Sequence, residues 1–323
     1  MSIDDRPTVS APDDDPYLWL EEIEGERALA FVETQNRRTL SAYGDAAFER
    51  DRDALAAIFD RPDNIPFVSR RGGLLYNLWK DAAHPRGLWR RTTLAEFRKA
   101  QPQWELLLDL DKLAVSEDED WLLNGMATLP PAHSRAILSL SRGGSDAVVL
   151  REFDLQTKAF VAGGFTLGEA KSSAGWLDQD TLLLSSAHGA GMATPSGYAR
   201  TARRWRRGES IAQADVIFEA QHTDSMGVYT AIDRTAGTPR VWFIDRFDFF
   251  NQHVSLGDEN GARVKLDLPT DSWMDAHGDW IAVKLRHTWT IGDTSYPADA
   301  VLGIRLSAFL AGQRDFKIVF APA

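Results

Sequence analysis

From Phe67 onward apolar and polar residues alternate, most clearly in Ile137–Phe160, ILSLSRGGSDAVVLREFDLQTKAF. In Ile137-Leu138-Ser139-Leu140-Ser141, Leu138 and Leu140 share one face, the period-2 pattern of a strand with one buried side. Gly143-Gly144-Ser145-Asp146 predicts a reversal, because glycine reaches positive φ without steric cost and Asp or Ser can bond the turn backbone. A second strand is expected over Val148–Phe153, a polar corner over Asp154–Lys158, and a further strand over Ala159–Val161. Strand, tight turn, strand, polar corner, strand is an antiparallel meander, one blade's worth of a β-propeller. The plan returns without the same letters at Phe67–Leu108, Trp176–Phe218, Val228–Leu268 and Trp273–Phe320, a period of roughly 45–55 residues. About five such units are expected, although a two-sheet sandwich would produce some of the same alternation.

Before Phe67 the period is helical. Tyr17, Leu18, Trp19 and Leu20 crowd together after Asp15-Pro16. Glu26–Leu40, with Ala30, Phe31, Thr34 and Arg38 near helical spacing, predicts an amphipathic helix. Asp51–Phe59 predicts a shorter second helix, closed by Pro62. The expected division is a disordered acidic tail over 1–15, a helical segment over 16–62 and an all-β propeller region over 63–323.

Composition narrows the function classes. Hydrophobic residues at 44% and charged residues at 26% of 323 are ordinary for a globular chain with a substantial core. Eleven tryptophans suit broad contacts between sheets. The formal net charge of −11 argues against nucleic-acid binding, which needs a basic face. The absence of cysteine excludes disulfides, thiol catalysis and thiolate metal sites. Residues 1–16 lack the pattern of a secretory signal, and no run reaches the length of a membrane span. A cytoplasmic protein that engages no membrane is expected.

Several motifs carry a resemblance. Asp15-Pro16-Tyr17-x-Trp19-Leu20-Glu21, followed by Phe31-Val32-Glu33-x-Gln35-Asn36, resembles the N-terminal segment of the prolyl oligopeptidase family of serine peptidases. His84-Pro85-Arg86-Gly87-Leu88-Trp89-Arg90-Arg91-Thr92-Thr93 is similar to a first-blade motif of its bacterial members. Ser139–Asp146 with Arg151-Glu152-Phe153-Asp154 resembles the second, and Ala308–Gly312 with Asp315-Phe316 a late one. The resemblance implies an N-terminal segment, a seven-bladed propeller of which about five blades are present, and an α/β-hydrolase domain with a Ser-Asp-His triad beyond residue 323. It also implies that Lys171-Ser172-Ser173-Ala174-Gly175-Trp176 lies on a strand approaching the central tunnel. Some members place a substrate-touching aromatic there, where this chain has Ser172 and Ser173. Lys171, Ser172, Ser173 and Trp176 are therefore the candidate substrate-facing residues, set against a plain blade strand with Trp176 in the core.

Elsewhere the chemistry is sparse. No window reads G-x-S-x-G, the strained elbow that exposes a hydrolase nucleophile. Gly143-Gly144-Ser145-Asp146-Ala147 comes nearest and is expected in a hairpin turn. Asp271, Asp275, His277 and Asp279 have the chemistry of hard-metal ligands but not a metal-loop spacing, and Gly278 points to a solvated turn. His133, His188, His222, His253 and His287 fall in different units without helical zinc spacing. Arg203-Arg204-Trp205-Arg206-Arg207 reads as an outer strand, with Arg204 and Arg206 on one side and Arg203, Trp205 and Arg207 on the other.

Three readings remain open. The first is the gating part of a prolyl oligopeptidase-type serine endopeptidase, admitting short peptides, with no metal or organic cofactor and no catalytic residue in this chain. The second is a non-catalytic propeller that binds a peptide or protein, and the third a glycan hydrolase with two carboxylates converging in the channel. The first predicts that this chain alone self-associates or is poorly stable, because Tyr17, Leu18, Trp19, Leu20, Phe31 and Val32 represent on the order of 10 kcal/mol of burial free energy that a hydrolase domain would otherwise take up.

Overall fold

The computed structural model describes residues 15–22, 24–61, 63–220 and 226–322. Pro62, His222 and nearly all of the acidic tail lie outside the described residues. The chain forms two units, Met1–Ile65 and Pro66–Ala323. No helix among the described residues is long and apolar enough to cross a membrane.

The first unit is helical. A 3-10 turn over Leu18–Glu21 precedes α1 (Glu26–Tyr43) and α2 (Ala46–Phe59). Trp19 packs edge-on to Phe31 at 5.6 Å, with the Arg27 guanidinium 3.9 Å above its ring. Ala28 is buried and Phe31, Thr34 and Gln35 are half-buried, whereas Ala30 and Arg38 of the expected stripe are exposed. The second helix begins five residues before the expected Asp51 because Asp45 caps it, its carboxylate accepting from the amides of Ala47 and Phe48.

The second unit is a run of five antiparallel meanders, the blades of a propeller. Blade 1 comprises β1 (Ser69–Arg71), β2 (Leu74–Asp81), β3 (His84–Thr93) and β4 (Glu105–Asp109), with a short α3 (Leu94–Phe97) between the last two. A helix, α4 (Leu110–Glu117), leads into blade 2. That blade holds β5 (Trp121–Thr128), β6 (Arg135–Arg142), β7 (Val148–Asp154), β8 (Ala159–Phe160) and β9 (Thr166–Ala170), the last two both paired with β7. Blade 3 has β10 (Ser172–Asp178), β11 (Thr181–Ser186), β12 (Thr201–Arg206) and β13 (Asp215–Glu219). Blade 4 has β14 (Gly227–Asp233), β15 (Arg240–Arg246), β16 (Gln252–Gly257) and β17 (Arg263–Lys265). In blade 5, β18 (Trp273–His277) and β19 (Trp280–Lys284) are followed by the hairpin β20 (Trp289–Ile291) and β21 (Thr294–Tyr296). The sheet then resumes with β22 (Val301–Arg305) and, after α5 (Leu306–Leu310), β23 (Lys317–Phe320).

The stretch Ile137–Phe160 supplies the second to fourth strands of blade 2, and its first strand, β5, precedes it. Gly143 and Gly144 take φ of 60° and 84° in the turn, the left-handed conformation that glycine permits. The single buried face expected for β6 is corrected. Leu138 and Leu140 pack with Tyr76 and Trp89 of blade 1, while Ile137 packs with Trp176 and Leu182 of blade 3. Blades stack face to face, so an interior blade buries both sides. The same division separates Leu182 and Leu184 from Leu183 on β11, and Trp242 from Val241 and Phe243 on β15.

Candidate functional site

Residues of the first strands of blades 1 to 4 together line a cavity of about 320 Å³. Arg71 closes β1, Met126, Ala127 and Thr128 close β5, Ser173–Trp176 come from β10, and Thr230–Ile232 with Arg234 come from β14 and the residue just beyond it. Trp176 forms part of this wall although its ring is buried. The indole Nε1 donates to the carbonyl oxygen of Ala127 at 2.8 Å, and the ring packs edge-on to Phe165. That bond joins the first strands of blades 2 and 3.

Of the four candidate residues the structure brings Ser173 and Trp176 to the cavity. Ser172 faces its strand neighbour, its Oγ 2.7 Å from Ser186 Oγ. Lys171 lies over the Tyr198 ring at 3.9 Å, with Asp146 at 3.7 Å. Sequence reasoning missed Arg71, Thr128, His133 and Arg234. A usable signal was present for three of them: Arg71, Thr128 and Arg234 each stand at or just beyond the end of a first strand, so setting the units in phase would have aligned them.

His133 occupies a left-handed backbone conformation with φ of 50°. Its Nδ1 lies 2.7 Å from Thr128 Oγ1, and its ring covers Gly72, where an added Cβ would come within 2.7 Å of the imidazole. Burial, and then the nearby Arg71 charge, push its pKa below the ordinary histidine value, so the ring is neutral at neutral pH. Arg234 donates through Nη2 to the carbonyl oxygens of Trp176 at 2.7 Å and Leu177 at 3.1 Å. Among the described residues lining the cavity there is no carboxylate, so no pair of acids of the kind glycan hydrolysis needs converges here.

The other candidate clusters resolve into structural roles. Ser145 sits in the β6–β7 turn and accepts from the Ala147 amide at 3.1 Å. Asp279 accepts from Ser307, and Asp271 pairs with His287. Among the described residues no group of three or more His, Asp or Glu gathers into a metal-ligand set. His188 packs over Gly168 and His253 edge-on to Phe247.

The arginine-rich run is not an outer strand: β12 lies between β11 and β13. Its alternation places Arg204 and Arg206 on Asp215 Oδ2 at 2.9 and 3.0 Å, and buries Trp205. Just past the strand end, Arg207 reaches across to Glu152 of blade 2 at 2.7 Å. Arginine side chains are long enough to pair across and between blades, which a strand-by-strand reading does not anticipate.

Residues 6–237 match the family model of the prolyl oligopeptidase N-terminal β-propeller domain. An uncharacterized peptidase of Sinorhizobium fredii is 35% identical over 335 residues, covering 99% of this chain and 46% of the relative. An uncharacterized peptidase of Rickettsia prowazekii is 26% identical, covering 94% of this chain and 44% of its own length. Among solved structures, a post-proline cleaving enzyme from Rickettsia typhi superposes with a TM-score of 0.83 at 26% identity, over 94% of this chain and 47% of that one. The chain thus spans less than half the length of the relatives it matches.

Proposed function

The chain belongs to the prolyl oligopeptidase N-terminal β-propeller family, and from that membership we propose that it is the substrate filter of a serine endopeptidase acting on short proline-containing peptides. The nucleophile, acid and base would come from an α/β-hydrolase domain outside these 323 residues. The match of residues 6–237 to the propeller model carries the reading. The chemistry agrees with it, since the sequence has no G-x-S-x-G. A cavity of about 320 Å³ has room for a few side chains, a size that suits a short peptide. We assign substrate contact to Ser173 and Trp176, which line the cavity, while Ser172 meets Ser186 of β11 and Lys171 meets the Tyr198 ring. A cysteine-free chain suits the cytoplasm, where disulfides are rare.

The purified chain is expected to give no turnover of a Gly-Pro reporter peptide. Joined to the remainder of the Sinorhizobium fredii relative, it is expected to release the reporter in a manner that a serine-directed inhibitor blocks. Inhibitor-sensitive turnover by the chain alone, or silence of a joined protein that melts cooperatively, would overturn the reading.

A further inference from the structure

Arginines elsewhere in the propeller unit commonly meet carboxylates. Arg135 and Arg207 hold Glu152, Arg240 holds Asp233, Arg142 holds Glu119 and Glu169, and Arg151 holds Glu117. The cavity lined by the first strands departs from this pattern. Its wall carries the cations Arg71 and Arg234, beside the neutral ring of His133, and, among the described residues lining it, neither Asp nor Glu. In a chain with a net charge of −11 this is a local reversal of sign.

The cations are held but not neutralised. One edge of Arg234 is fixed by the Trp176 and Leu177 carbonyls, which leaves the rest of its five-donor fork for a ligand. Burial weakens the hold of that guanidinium on its proton, a cost that a bound anion would offset. Arg71 donates through Nη1 to the carbonyl of its neighbour Arg70 at 2.9 Å, and among the described residues it has no carboxylate within ion-pair distance. Apolar groups flank these charges: Met126, Pro130, Trp176 and Ile232 line the same space. An inorganic anion would leave those walls and most of the volume unused.

We propose that the cavity lined by the first strands of blades 1 to 4 is an oxyanion-binding site with Arg71 and Arg234 as its charged partners, and that its ligand is the carboxylate end of a short peptide. The residue next to the carboxylate packs on Met126, Trp176 and Ile232, and Ser173 supplies a hydroxyl at the wall. The choice of a peptide over a free anion rests on the peptidase reading above; the anion site itself does not. Within this arrangement the propeller sorts peptides by charge as well as by size.

Isothermal titration of the full 323-residue chain separates the possibilities with three probes: acetyl-Ala-Ala-Pro-Leu with a free carboxylate, the same peptide amidated, and inorganic phosphate. The acid is expected to bind about tenfold tighter than the amide, and Arg71→Gln or Arg234→Gln to erase that preference. Arg70→Gln, on the same strand but outside the lining, is expected to keep it. Equal binding of acid and amide, or unchanged preference in arginine variants that melt like the parent, would overturn the proposal. Phosphate binding without peptide binding would retain the anion site and overturn the peptide assignment, leaving family membership untouched. Should the arginine variants not fold, Ser173→Asp adds a carboxylate to the wall. About tenfold weaker binding of the acid is then expected, and unchanged affinity refutes the site.

Discussion

At Asp233 burial and hydrogen bonding oppose each other. Desolvation alone would raise the carboxyl's pKa, but Thr235, Arg240 and Trp242 all donate to it and hold it at about 2. The same arginine donates to the Gly278 carbonyl, so the carboxylate anchors a link from blade 4 to blade 5. A folded-state pKa below the unfolded value near 3.8 stabilises the fold fully above about pH 4, and that contribution is lost as pH falls toward 2. The shift corresponds to roughly 2 kcal/mol. Asp233→Asn should therefore lower Tm at pH 7 and flatten the Tm–pH profile between about pH 4 and 2; superimposable melting profiles for the two proteins would show that the carboxylate contributes nothing. Glu152 is a second such carboxylate, buried, with Arg207, the Phe165 amide and Arg135 overcoming the desolvation that would raise its pKa. The sequence displayed Glu152 inside a motif but gave no hint of Arg207, which stands 55 positions away.

In the blade strands, periodicity identified the elements and understated their burial. Leu138 is fully buried against blade 1, and Ile137 on the opposite side of β6 is almost fully buried against blade 3. Leu138→Ala should cost about 2–5 kcal/mol in urea unfolding, by transfer and cavity terms together, whereas Val264→Ala on the exposed β17 should stay within about 0.5 kcal/mol. Similar costs at the two positions would contradict the stacked-blade core. The helices show the complementary limitation. An apolar stripe marks that α2 exists, but its start was set by Asp45, a capping residue outside the stripe. For β12 the alternation correctly separated Arg204 and Arg206 from Trp205, yet its place inside the sheet required knowing that β13 pairs beyond it.

For the chain as a whole, unsatisfied apolar surface is the prominent feature. In the helical unit Tyr17, Leu18 and Val32 are about half exposed, at 51%, 54% and 49%. In the propeller unit, the face of blade 5 turned away from blade 4 carries exposed Trp273, Trp280 and Val319. Apolar surface of this extent favours association. We propose that the chain self-associates and that removing residues 1–60 makes it more monomeric, read in light scattering as the number of chains per particle. Monomers at both lengths with the same cooperative Tm would refute a docking role for the helical unit. A truncated chain that still associates would instead point to the blade 5 face, and Trp280→Glu should then disperse it.

Alternation, glycine turns and a unit spacing near 50 residues determined the meander blades from the sequence alone, because each of these signals acts over a few neighbouring residues. The DPY-x-WLE and first-blade motifs added the family for a related reason: they are contiguous strings whose order survives without the fold. The cavity was not legible in this way. Arg71, Thr128, Trp176 and Arg234 come from the first strands of four blades, or the residue just past one, and meet only at the cavity those strands line. Which face of β6 met which neighbour, and which carboxylate Arg207 reached, were likewise decided by blade stacking. Those contacts join residues tens of positions apart, and only the tertiary structure brings them within hydrogen-bond distance.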